Sequence, residues 1–163
     1  MTRSDENDGL VTQIIDALRQ RGETLSTAES ITGGYISSTL VRISGASDVF
    51  VGGITAYSDD VKVTHLKVDP KLIKEHSSIS EPVVEAMAQG ALQIFGTTWA
   101  IATTGVAGPG PVDSHVAGTV WVSIQGPINQ TTELALPGER ETVRNAATSS
   151  AIAAFARILN TRV

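Results

Sequence analysis

The chain has 163 residues, 41% of them apolar and 18% charged, with a formal charge of −5; that profile suits one globular domain able to bury a sizeable core. The acidic balance and the lack of any Lys/Arg run argue against a phosphate-backbone binder, so nucleic acid is not expected as a partner. The absence of cysteine removes disulfides, thiolate metal sites and a cysteine nucleophile, and the most apolar stretch, 49–56, is too short to cross a bilayer.

Residues 1–8 are polar and expected to fray, leaving a single domain over 9–163. This terminus lacks the apolar core of a signal peptide, which points to the cytoplasm. Leu10, Val11, Ile14, Ile15 and Leu18 recur at helical spacing, and Gly22 ends that helix as a left-handed cap. Thr24–Ala28 suits a short buried strand. Gly33-Gly34 leads into a second amphipathic stretch through Ile36, Leu40, Val41 and Ile43, closed by Ser44-Gly45. A strand over Asp48–Tyr57 follows, then a short helix with Ser58 as N-cap and Asp59 and Asp60 in its first turn. Lys71–Ser78 reads as a helical turn or two and a loop.

Ser80-Glu81-Pro82 opens the clearest helix, with a stripe of Val83, Val84, Met87, Ala88, Ala91, Leu92 and Phe95 ending at Gly96. Trp99–Thr103 reads as a strand before a glycine- and proline-rich loop. Thr119–Gln125 and Thr131–Leu136 alternate as an antiparallel pair, and a last helix runs from about Glu139 to Leu159. The order predicts an α/β fold: three layers, α/β/α, around a mixed, mostly parallel sheet. Ligand sites in such sheets gather beyond the strand ends, after Ala28, Tyr57 and Thr103.

The first of these loops holds Glu29, Ser30, Thr32, Gly33 and Gly34. A serine at a strand-to-helix turn exposes its hydroxyl toward a ligand, and N–H groups at the helix start offer an oxyanion hole. Equally, Ser30 or Thr32 could simply cap the helix. A nucleophilic serine needs a base. His65, His76 and His115 lie in polar surroundings, fit no metal spacing and read as surface residues. Lys62 is the alternative base. It occupies N4 of the helix capped by Ser58, and Tyr57 at N′ would lie against its stem. Burial and the helix N-terminus would lower its pKa, whereas Asp59 and Asp60 would raise it. An exposed lysine on a small amphipathic helix is the competing reading. Thr104, Gly105 and Gly108 belong to a loop that can approach a ligand closely but carries no phosphate-loop or dinucleotide signature. Arg140 and Arg144 sit one turn apart at a helix start, where they hold an anion or pair with Glu139 and Glu141.

Taken in order, Thr27-Ala28-Glu29-Ser30-x-Thr32-Gly33-Gly34, Gly52-Gly53-x5-Ser58-x3-Lys62, Ser80-x4-Glu85-x-Met87-Ala88, Thr104-Gly105-x-Ala107-Gly108-Pro109-Gly110 and Gly118-Thr119-Val120 resemble the CinA C-terminal domain family over roughly residues 8–160. The resemblance implies a nicotinamide-nucleotide amidase, which converts nicotinamide mononucleotide to nicotinate mononucleotide and ammonia. It implies Ser30 as nucleophile, Lys62 as base, Tyr57 in the same site, and Arg144 at a position implicated in the active site. It further implies a homo-oligomer acting on a small-molecule nucleotide with no metal or cofactor. An acyl-enzyme mechanism would follow, with N–H groups near Gly33 and Gly34 holding the oxyanion. The 5′-phosphate would fall to Arg144, with Arg140 as a second candidate, and the Thr104–Gly110 loop would shape the pocket. Other readings are a non-catalytic nucleotide-binding module and an amidase for a different carboxamide. Three departures stand out. Ile31 replaces the family's usual cysteine; 111–116 replaces a glycine-richer, lysine-bearing stretch; and the chain lacks the molybdopterin-binding-like N-terminal domain of longer members, so pyrophosphatase activity associated with it is expected to be absent.

Overall fold

A computed structural model describes residues 3–162. The first helix, α1, spans Arg3–Arg21 and ends where Gly22 takes a φ of 63°. The stretch expected to fray is therefore helical from Arg3, with residues 1 and 2 outside the described range. Tertiary contacts explain the difference: Asn7 Nδ2 donates to Ser149 Oγ at 3.0 Å, and Asp8 pairs with Arg42 at 2.9 Å. Neither partner is visible from local polarity.

The chain continues through β1 (Leu25–Glu29), α2 (Tyr35–Val41), a 3-10 turn (Ala46–Asp48) and β2 (Phe50–Thr55). Two short helices follow, α3 (Asp59–Thr64) and α4 (Pro70–His76), then α5 (Glu81–Phe95). Strands β3 (Trp99–Gly105), β4 (Thr119–Gln125) and β5 (Gln130–Ala135) precede the closing helix α6 (Arg140–Thr161).

The strand order is β2-β1-β3-β4-β5. β1 pairs in parallel with β2 and β3, while β4 runs antiparallel to both its neighbours. Four strands thus share one direction. This is the three-layer α/β/α fold with a mixed, mostly parallel sheet.

Strand alternation builds two unlike cores. Leu25, Trp99 and Ile101 face α1, α2 and α6, where they meet Leu18, Leu40, Ala151 and Phe155. Trp99 packs edge-on against Phe155, with ring centroids 5.3 Å apart. The alternate positions, Ala28, Ala100 and Ala102, face α5 with Val84, Met87 and Ala91. Alanines on that face let α5 sit close. Gly90 takes the approach further, since a Cβ there would fall 2.1 Å from the Leu66 carbonyl oxygen. Among the described residues no helix is long and apolar enough to cross a membrane.

For the site, the sheet's direction is what matters. Register pairs Glu29 with both Thr55 and Thr103, so the carboxyl ends of β1, β2 and β3 finish together at one edge. All three candidate loops leave from there.

Candidate active site

Between those strand ends lies a cavity of about 530 Å³, within the range of small-molecule sites. Ser30, Tyr57, Lys62, Thr104, Gly105, Gly108 and Arg140 all line it. So do Ile31, Asp59, Ser78, Val106, Ala107 and the 110–113 turn. Glu29, Thr32, Gly33, Gly34 and Arg144 do not.

Glu29 explains why Ser30 is free. Its buried carboxylate reaches forward to α2: Oε2 accepts from the N–H groups of Gly34 and Ile36, each at 3.0 Å, and from Thr32 Oγ1 at 2.7 Å. Oε1 accepts from Ser37 N and Oγ, both at 2.8 Å. The carboxylate thus caps α2, whose N-cap residue, Gly34, has a φ of 98° and no side chain to offer. Neither Ser30 nor Thr32 caps this helix. Glu29 is a scaffold residue, with five donors satisfied before any ligand arrives. Thr32 Oγ1 is likewise committed to Glu29 and Thr103.

Ser30 itself is 7% exposed, and its backbone is fixed through N–H donation to Thr103 O at 3.0 Å and acceptance from Gly33 N at 3.1 Å. Its hydroxyl has no hydrogen-bond partner among the described residues. The bonds from Gly33 and Gly34 correct the expected oxyanion hole, because both N–H groups are occupied. The N–H of Ile31, on a cavity-lining residue, has no acceptor among the described residues. It is the available donor beside Ser30.

Lys62 reaches the cavity from α3. Ser58 caps that helix by accepting from Val61 N at 3.2 Å, as its position in the sequence predicts. The Lys62 side chain is 2% exposed. Burial pushes its amine below the ordinary lysine range, opposed by the charge and hydrogen bonding of Asp59. Its Nζ contacts are sparse: Tyr57 O at 3.4 Å and Asp59 Oδ1 at 3.6 Å. Two acceptors at these distances hold the amine only loosely. The tyrosine is 64% exposed and offers Lys62 its carbonyl, while its hydroxyl accepts from Arg140 Nη2 at 3.1 Å.

The two arginines divide. Arg140 donates to Gly108 O at 2.9 Å and to the Tyr57 hydroxyl, and it has no carboxylate partner among the described residues. Arg144 points behind the Ser30 loop. It donates to Ile31 O at 3.0 Å, pairs with Glu141 at 3.2 Å and lies 4.1 Å above the Tyr35 ring. His65 and His76 are exposed and His115 half-buried, none lining the cavity. Among the described residues no His, Asp and Glu cluster could hold a metal.

The sequence reading did not mark Ser78 or Asp113 as site residues. Ser78, between α4 and α5, donates its hydroxyl to Asp59 Oδ1. Asp113 accepts from Ser77 Oγ at 2.8 Å and sits in a tight turn, bridged by Val112 and His115, with Ser114 beside it; both central residues have positive φ. A short polar run, Ser77-Ser78, before a helix looks like an ordinary linker, so no local signal marks it.

The CinA C-terminal domain matches residues 7–159 of this sequence. The chain belongs to the CinA C-terminal domain family. A CinA-like protein of Prochlorococcus marinus (strain MIT 9313) is 43% identical over 123 residues, which is 75% of this chain and 29% of that protein. One from Frankia casuarinae is 39% identical over 94% of this chain and 36% of its own length. The chain therefore spans about a third of the length of these CinA-like relatives. Among solved structures, competence damage-inducible protein A from Klebsiella pneumoniae superposes with a TM-score of 0.92 at 33% identity, covering 96% of this chain and 99% of that one. A CinA superfamily protein from Escherichia coli gives 0.90 at 30% identity, over 98% and 93% of the two chains.

Proposed function

We propose that the chain is an amidohydrolase that converts nicotinamide mononucleotide to nicotinate mononucleotide and ammonia through a Ser/Lys acyl-enzyme. One observation carries this reading: the buried, sparsely coordinated amine of Lys62 opens into the same cavity as the unpartnered hydroxyl of Ser30. A hydroxyl is a poor nucleophile alone, and a lysine serves as its base only when held neutral by its surroundings.

In the first step Lys62 takes the Ser30 proton as Oγ bonds to the carboxamide carbon. The carbonyl π electrons move onto oxygen, where the Ile31 N–H is the donor at hand. The Lys62 ammonium then protonates the departing nitrogen, the C–N bond breaks, and ammonia leaves a nicotinoyl ester on Ser30. In the second step Lys62 deprotonates a water that attacks the ester. The tetrahedral intermediate expels the Ser30 oxygen, which takes its proton back from the Lys62 ammonium, and the carboxylic acid formed releases its own proton to solvent as the carboxylate.

Arg140 rather than Arg144 is the candidate for the 5′-phosphate. It lines the cavity with no carboxylate ion-pair partner among the described residues; Ala107, Gly108 and Gly110 line it too, and their N–H groups have no acceptor among those residues. A guanidinium and several backbone amides form a suitable phosphate cradle.

Ammonia release from nicotinamide mononucleotide and a panel of related amides tests the reading. Turnover of the mononucleotide, abolished in Ser30→Ala and Lys62→Ala, is expected. Wild-type rates in either variant overturn the mechanism. Turnover confined to other amides reassigns the substrate, and binding without turnover makes the domain a nucleotide-binding module.

A further inference from the structure

A base lysine has two opposed requirements. It must be neutral to accept a proton and must then hold that proton until the leaving group needs it. Burial serves the first requirement at Lys62. The carboxylate of Asp59 serves the second, 3.6 Å away across the first turn of α3. Yet the Asp59 side chain is 58% exposed, and water competes for it. A carboxylate so exposed keeps a fixed place beside the amine only if something else holds it.

Ser78 is positioned to hold it. The residue is 8% exposed, and its hydroxyl donates to Oδ1, the same Asp59 oxygen that faces Lys62. The segment carrying it is tied down on several sides. Thr104 Oγ1 donates to Ser78 O at 2.8 Å, and Ser80 Oγ donates to Ser77 O at 2.8 Å. Ser77 has a φ of 72° and ψ of 156°, a conformation that side-chain-bearing residues rarely adopt, and its hydroxyl bridges Ile79 N and Asp113 Oδ2. Strain of this kind persists where the surroundings fix it. Here they fix the hydroxyl of Ser78 against Asp59.

We propose that Ser78 is a positioning residue for the base, locking the Asp59 carboxylate against Lys62 and so setting how firmly Lys62 holds its proton. The other charged groups lining the cavity are Asp113 on the 110–113 turn and Arg140 on α6, with Tyr57 and Ser30 completing the polar wall. Only Asp59 is within ion-pair distance of Nζ among the described residues. The inference adds regulation to the base of the proposed amidase, yet the protonation of Lys62 is measurable whether or not the amide is turned over.

The chain has four lysines, Lys62, Lys67, Lys71 and Lys74, so 13Cε-labelled lysine resolves each titration by NMR, with Lys62→Arg identifying the signal. Ser78→Ala is expected to move the Lys62 midpoint down by about one pH unit as Asp59 turns to solvent. Asp59→Asn should give the same shift, and the double variant should go no further. Ser78→Thr, which keeps the hydroxyl, should return the wild-type midpoint. A Ser78→Ala midpoint equal to wild type while Asp59→Asn moves it overturns the proposal, as do shifts that simply add in the double variant. In the ammonia assay the acid limb of kcat/KM should fall in parallel. Absent ammonia release with the NMR shifts intact would remove the amidase reading and leave the Ser78–Asp59 lock standing.

Discussion

The guanidinium of Arg144 donates to the carbonyl oxygen of Ile31 at 3.0 Å, immediately after the proposed nucleophile. A second bond reaches Thr32 O at 3.4 Å, and a Cβ on Gly33 would fall 2.9 Å from Nη2. This arginine braces the loop that presents Ser30. Replacing it by alanine is expected to destabilise the fold by about 2 kcal/mol through the lost charge-assisted bonds and the Tyr35 stack. In the amide assay kcat should fall with little change in KM. A large rise in KM for the mononucleotide alone would instead return Arg144 to the phosphate.

Arg140 is expected to behave in the opposite way. Losing a guanidinium–phosphate contact weakens binding by about 1.5–3 kcal/mol, so Arg140→Ala should raise KM for the mononucleotide roughly 10- to 100-fold. The unphosphorylated nucleoside should show no comparable loss. An equal effect on both substrates would mean that Arg140 acts through its bonds to Tyr57 and Gly108 instead.

Glu29→Ala should cost at least about 3 kcal/mol in urea denaturation, because it strands the Gly34, Ile36 and Ser37 N–H groups and two hydroxyls around α2. Were Glu29 a substrate contact, the variant would keep its stability and lose affinity.

Lys62→Met is expected to abolish ammonia release and yet stabilise the protein at neutral pH, by about 1 kcal/mol, since a buried amine with distant acceptors gives way to an apolar chain of similar length. The pH dependence has a definite sign. Burial lowers the folded-state pKa of Lys62 below the ordinary 10.5, so between the two values the unfolded chain binds more protons. Wild-type stability therefore gains from this residue as pH rises from the lowered pKa toward 10.5. The advantage of Lys62→Met is greatest below that window and shrinks across it. A difference between the two proteins that stays constant with pH would show that Lys62 keeps its proton when folded.

Local pattern alone determined the order of helices and strands, because each rests on periodicity and punctuation carried by adjacent residues. Gly22 and Gly96 end helices with φ of 63° and 62°, and Ser58 caps α3, all as their neighbours dictate. The ordered motifs around Ser30 and Lys62 likewise singled out two residues, 32 positions apart, that line one cavity. Tertiary structure decided which polar groups remain free. Glu29, Thr32, Gly34 and Arg144 carry the right chemistry for a site but use it on α2 and the Ser30 loop, through partners up to 113 residues distant. Conversely, Ser78 acquires its place beside Asp59 only because the α4–α5 segment folds against α3. Hydrogen-bonding capacity belongs to a residue type, whereas its availability depends on which neighbours the fold delivers first.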